Sequence, residues 1–163
     1  MSQLSDTILV IGLGSPIMSD DAIGLEVAEE IGKMGFPDVE TRQEPIGGLD
    51  IIPQLWGYRN VIIVDAIQTG QYEPGTIMFF DPEDFDDTIG DASAHDINLA
   101  TGMRIGRQVE PDMMPESVRF VADEEHGGLR HVRVVDHVVR MCRCADEGNV
   151  GIPRTQLGNQ IID

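Results

Sequence analysis

Asp21, Asp65 and His95 are the residues whose types and placement could do chemistry in this chain. Asp21 opens a predicted helix just after the turn that ends the first predicted strand. Asp65 closes the apolar run NVIIVDA, and His95 opens the helix that follows an acidic loop. Two carboxylates and an imidazole make a partial coordination sphere for a borderline divalent ion, with the open positions left to water or another molecule. Each residue alone has an ordinary structural use. Asp at a helix N-terminus interacts with the helix dipole, Asp at a strand end forms turns, and His before a helix sits at the surface or caps. Together they carry more weight. Neighbouring buried carboxylates are costly without a counter-charge, so such a pair calls for a cation or a raised pKa.

Other chemistries are poorly supported. GLGSP supplies the first two glycines of a dinucleotide fingerprint, with Gly12 and Gly14 expected in a tight turn and Glu40 at about the distance of a ribose-binding acid. Ser19, Asp20 and Asp21 then put acid where a pyrophosphate would have to sit, so no nucleotide is expected. Lys33 is the only lysine and falls on a predicted solvent face, which argues against P-loop and Schiff-base chemistry. Neither a G-x-S-x-G elbow nor an H-E-x-x-H pair is present. His126, His131 and His137 are read as non-ligands. Cys142 and Cys144 lie two apart near a helix end, where they do not face each other. They are expected as reduced thiols in or near the core, not as a disulfide or zinc site.

The elements that must position these residues alternate. Thr7–Gly12 reads as a buried strand, followed by a helix with Ile23, Val27, Ile31 and Met34 inward. Ser19 or Asp20 is expected to cap that helix, and Gly35 with Pro37 to end it. Val39–Glu44 is a second strand. IGGLDIIPQLWGY is a glycine turn entering a short helix, and Asn60–Ala66 is a strong buried strand. Gly75–Phe80 follows through a short turn and could be antiparallel. The acidic loop Asp81–Asp96 is read as merely solvated. A helix from His95 to Gln108 should turn Leu99 and Met103 inward, with Gly102 and Gly106 allowing close approach to a neighbour. Ser117–Ala122 is the last strand. Leu129, Val132, Val135, Val139 and Cys142 form the inward face of a closing helix, and residues 146–163 read as an irregular tail. The order β-α-β-α-β-β-α-β-α predicts a single α/β domain over residues 1–163. Its open, mostly parallel five-stranded sheet has one antiparallel strand and helices on both faces. Ligands of such sheets bind beyond the carboxyl ends of the strands, where all three polar residues map.

These stretches resemble the nickel–iron hydrogenase maturation endopeptidases, the proteases that process the C-terminus of the hydrogenase large subunit. ILVIGLGSPIMSDDAIGLEVAEEI is similar to the family's opening, a strand, a glycine turn, an acidic pair and a helix. VIIVDAI resembles its second motif, PGTI the usual continuation, and SAHDINL its third motif, in which a His opens a helix. IGGLDII resembles its glycine-containing turn. The likeness runs from about Ile8 to Gly106 in consistent order. It implies an endopeptidase that removes the C-terminal extension of a hydrogenase large-subunit precursor after nickel insertion. It further implies that Asp21, Asp65 and His95 contact nickel supplied by the precursor, and that Gly47 and Gly48 take part in substrate recognition. Asp21 and Asp65 are then also the candidates for activating water. Two mechanisms stay open. The nickel acts as a Lewis acid or hydroxide source, or it only positions the substrate while an Asp serves as general base. Three departures stand out: Ser15 and Pro16 where Asn is common, Asp21 where many members have Glu, and VADEEHGGLRHVRVV, in which only GGL echoes the family.

The bulk composition agrees with that expectation. With 11 basic and 29 acidic residues among 163, the net charge of −18 repels nucleic acid and anionic membranes, and favours a basic or metal-bearing partner. No apolar run approaches the roughly 20 residues that span a bilayer. MSQLSDTILV lacks the basic and apolar regions of a signal peptide, so a cytoplasmic location is expected. Two alternatives to the precursor-cutting protease are a metal-assisted hydrolase with its own bound ion and a non-cleaving module that binds the nickel-loaded precursor.

Overall fold

The computed structural model describes residues 4–15, 22–45, 48–67, 70, 72–82, 94–124 and 131–146. Five strands are β1 (Ser5–Leu13), β2 (Val39–Glu44), β3 (Tyr58–Ile67), β4 (Ile77–Phe80) and β5 (Ser117–Glu124). Three α-helices are α1 (Ile23–Met34), α2 (Ala94–Val109) and α3 (His131–Asp146), with a 3₁₀ helix at Gly48–Leu55. The sheet order is β2-β1-β3-β5-β4. Its first four strands are parallel, and β4 runs antiparallel to β5, with Ile77 opposite Asp123 and Phe80 opposite Phe120. The α/β expectation therefore holds, the antiparallel strand included.

The core follows from strand alternation, which sends successive side chains to opposite faces. Ile8, Val10, Ile62 and Val64 pack with Val27 and Ile31 of α1 and with Val134, Val138 and Met141 of α3. Leu9, Ile11, Val61 and Ile63 pack with Ile51 and Leu55 of the 3₁₀ helix and with Leu99 and Met103 of α2. Gly102 lets α2 close on Leu49 and Ile52, and Gly106 lets it close on Met114, as their spacing suggests. Cys142 is a buried free thiol. Lys33 lies on the solvent face of α1, paired with Glu29 at 2.9 Å.

Several local expectations need correction. Gly12 is not in a turn. It lies within β1, opposite Val64, and its missing side chain admits α1: a Cβ there would lie 1.8 Å from the Gly24 carbonyl oxygen. Gly14 follows the strand with φ 147°. The N-cap of α1 is Ala22, which has no side-chain oxygen to cap with, so neither Ser19 nor Asp20 stands at the cap position. Gly35 does end the helix in the left-handed conformation, φ 66°. Met34 is exposed, because the last turn of α1 runs past the apolar face it covers. In α3 the buried stripe is Val134, Val135, Val138, Met141 and Cys142, and Val132 is 61% exposed. The stripe is centred near Val138, about 120° around the helix from position 132. Leu129 and the tail beyond residue 146 lie outside the described residues.

Two measurements check this packing. Gly24→Ala would place a Cβ 2.2 Å from the Leu13 carbonyl oxygen and 2.4 Å from that of Val64. Backbone cannot yield as a side-chain tip can, so the denaturation midpoint should report a loss of about 1–3 kcal/mol. Val132→Ala should stay within about 0.5 kcal/mol. The second concerns His137, half-buried and edge-on to Phe79 with ring centroids 5.5 Å apart. Burial first, then the charge of Arg140, lowers its pKa from the usual 6.5. The fold thus favours the neutral ring. Its contribution is complete above the unfolded value and is lost as pH falls from there through the folded one. Proton NMR should titrate His137 below 6.5, and His137→Leu should flatten the stability loss on acidification.

Candidate functional site

Four strand ends meet at the carboxyl edge of the sheet, and Asp65 stands at the end of a central one. Its position on β3 shares the face of Val61 and Ile63, the side covered by α2. It is half-buried, and its Oδ1 accepts the backbone N–H of Ala66 at 2.8 Å, which fixes the carboxylate at the strand end. A carboxylate so placed can ligate a cation or accept a proton from water.

Position 95 is the second residue of α2 and precedes the buried Leu99 by one turn. The helix packs on the 3₁₀ helix and shares a core cluster with Val118 and Phe120 of β5. Its C-terminal part packs on Met114, and residues 110–116 lead directly into the start of β5. With 16 residues, at about 1.5 Å rise each, α2 returns to the carboxyl edge at its N-terminus. Position 95 thus stands at the N-terminal end of α2, and the His95 side chain lies outside the described residues. Asp21 and Gly47 also lie outside them. Gly48 is the first residue of the 3₁₀ helix. Among the described residues no group of three or more His, Cys, Asp or Glu side chains is arranged to hold a metal.

Acidic residues that the sequence did not bring forward join Asp65 at this edge. β5 does not stop at Ala122 but continues through Asp123 and Glu124, both buried. Asp123 is opposite Ala66 and Glu124 opposite Ile67. Oε1 of Glu124 accepts the Gly70 N–H at 2.7 Å, and its backbone exchanges bonds with Gly75 and Thr76. Low strand propensity for Asp and Glu is why the strand is expected to end at Ala122. Pairing with β3 and β4 overrides that propensity, and nothing in the sequence alone signals it.

Asp81, expected as a solvated loop acid, instead forms an ion pair at 2.9 Å with Arg119, which is buried within β5. Residues 83–93 of that loop lie outside the described residues. Glu40, the one candidate ribose ligand, is already engaged. It accepts the Tyr58 hydroxyl at 2.6 Å and Arg42 at 2.8 Å, and these bonds hold its pKa below the usual range. No helix among the described residues is long and apolar enough to cross a membrane.

Comparison with known proteins agrees with this layout. The family model HycI, hydrogenase maturation protease, matches residues 46–130, just over half of the chain. The hydrogenase 2 maturation protease of Escherichia coli K12 is 32% identical over 79 residues. That match covers 47% of this chain and 48% of the relative, so the chain spans about half the length of the curated relative it matches. Among solved structures, the hydrogenase maturating endopeptidase HybD from E. coli superposes with a TM-score of 0.68 at 20% identity, covering 88% of this chain and 93% of that one. The [NiFe] hydrogenase maturation protease HybD from Thermococcus kodakarensis gives 0.61 at 19% identity, over 83% and 98%. At such identities these likenesses speak for the fold, and the family match speaks for descent. The chain belongs to the hydrogenase maturation protease family.

Proposed function

We propose that this protein is an endopeptidase that removes the C-terminal extension of a nickel–iron hydrogenase large-subunit precursor after nickel insertion. Asp21, Asp65 and His95 would recognise the nickel that the precursor carries, and Gly47 and Gly48 would line the approach of the substrate chain. The observation that carries this reading is the seat of Gly24. It packs so closely on β3 that a Cβ would lie 2.4 Å from the carbonyl oxygen of Val64, the residue before Asp65. Three peptide units cannot carry Asp21 more than about 11 Å from Gly24, whatever their path. On this reading Asp21 comes to Asp65 from the junction that Gly24 closes, and His95 comes from the N-terminal end of α2. Two carboxylates and an imidazole suit a borderline cation such as nickel. The net charge of −18 favours approach of a cationic centre.

The nickel belongs to the substrate, and as a bound cation it would polarise a carbonyl or a water. The chain's own part is to hold that cation beside the scissile peptide and to accept a proton there. Asp65, fixed by the Ala66 N–H, is the best-placed residue for that role.

Intact-mass analysis of nickel-loaded and nickel-free precursors mixed with the protein tests the reading. The loaded precursor should lose its C-terminal peptide and the nickel-free one should not. Asp65→Ala should slow cleavage by about 100- to 10,000-fold, the span expected for losing a general base. A folded wild-type protein that leaves loaded precursors uncut would overturn the proposal. Stoichiometric metal in the isolated protein with turnover of small peptides would point to a hydrolase with its own ion.

A further inference from the structure

The net charge of −18 is far more than one site needs, and it is spread over the whole surface. The chain holds 29 acidic residues against 11 basic ones, so even one-to-one pairing throughout leaves 18 carboxylates with no cation of the chain's own. Two of the cations are shared: Lys33 pairs with Glu29 and Glu30, and Arg59 with Asp6 and Glu116. Arg42 pairs with Glu40, Arg119 with Asp81 and Arg140 with Asp136. Asp38, Glu73, Glu110 and Asp112 are exposed and make no ion pair among the described residues. Asp38 stands ahead of β2, Glu73 ahead of β4, and Glu110 and Asp112 between α2 and β5. Glu26 and Glu29 are exposed on α1, Glu40 on the β2 rim and Asp136 on α3. Charge dispersed in this way cannot be matched by one docked partner. Only mobile ions reach all of it.

We infer that the folded state of this protein is conditional on ionic strength: its dispersed carboxylate excess opposes the compact form in dilute buffer, and a counter-ion atmosphere relieves it. Folding gathers the charges into a domain with a radius of gyration of about 15 Å, against about 40 Å for the unfolded chain. At 0.01 M salt the Debye length is about 30 Å, so each carboxylate feels the others across the native domain. At 1 M it is about 3 Å, and only contacts remain. Self-repulsion of this kind destabilises a compact state. It is opposed by a core of ordinary make-up, whose largest fully buried side chains are Leu, Ile, Met and Val. Native stability is a small difference between large terms, so such a repulsion decides how much of it is left. The same screening weakens the long-range attraction of a cationic partner. The charge therefore acts on folding and on encounter in opposite senses as salt rises.

Urea unfolding of the full chain, followed by circular dichroism, tests this without any substrate and so independently of the proteolytic reading. Urea adds no ions. From 0.01 M to 1 M KCl the midpoint should climb by about 2 M urea, in proportion to the logarithm of salt concentration. Choline chloride at equal ionic strength should give the same climb. Asp38→Asn, Glu73→Gln, Glu110→Gln and Asp112→Asn combined keep side-chain size and remove four charges, taking −18 to −14. Repulsion grows with the square of net charge, so the climb should shrink by about two-fifths in this variant. Its midpoint should exceed that of wild type at 0.01 M KCl and lie within about 0.5 M urea of it at 1 M. A midpoint that does not move with salt overturns the inference and leaves the charge a role in encounter alone. A climb linear in salt concentration overturns it too, because that is the mark of salt excluded from apolar surface. Unequal climbs in KCl and choline chloride overturn it in favour of a particular ion site. An equal climb in wild type and variant overturns it as well.

Discussion

The first helix can reach the sheet only because Gly12 and Gly24 meet without side chains. Gly24 sits against the carbonyls of Leu13 and Val64, so the helix start touches two adjacent strands at once. That contact sets how far α1 tilts and how Val27 and Ile31 enter the core. It also sets where the chain preceding the helix must begin. A side chain at either glycine would lift the helix from the carboxyl edge and move everything upstream with it.

The opposite half of the edge is organised by buried charge. The buried Arg119 pairs with the part-buried Asp81, and Glu124 lies buried with its carboxylate on a backbone amide. Ionised groups in such positions are costly unless matched, and the match confers a defined geometry in place of net stability. Here the geometry is that of β4. The short strand is bound to β5 along its length, held by Glu124 where it begins and by Arg119 where it ends. Apolar packing fixes one side of the site and polar anchoring the other.

How far the chain could be read in advance follows from the same division. Strands buried on both faces, such as NVIIVDA, announce themselves as apolar runs, and the order of elements then leaves few topologies. Gly102 and Gly106 were legible because small residues one turn apart on a helix have few other uses. Gly12 was not, since a strand glycine and a turn glycine look alike beside a second glycine. The phase of α3 was misread because apolar residues flank Val135 and Cys142 on both sides, and only the contact with the sheet selects Val134, Val138 and Met141. The acids of β5 were invisible for a deeper reason. Asp123 and Glu124 gain their places from partners far away in the chain, on β3 and β4, and no local pattern encodes such pairing. Of the candidate site, the strand-end Asp65 was legible from position alone.

The two outer strands of the sheet have a consequence for how another protein can be met. β2 presents Glu40, Arg42 and Glu44 along the rim, and β4 offers only four residues. Lateral addition of a foreign strand needs a long, uncharged template, and neither rim supplies one. A visiting polypeptide is therefore steered away from the flanks of the molecule and toward its crest.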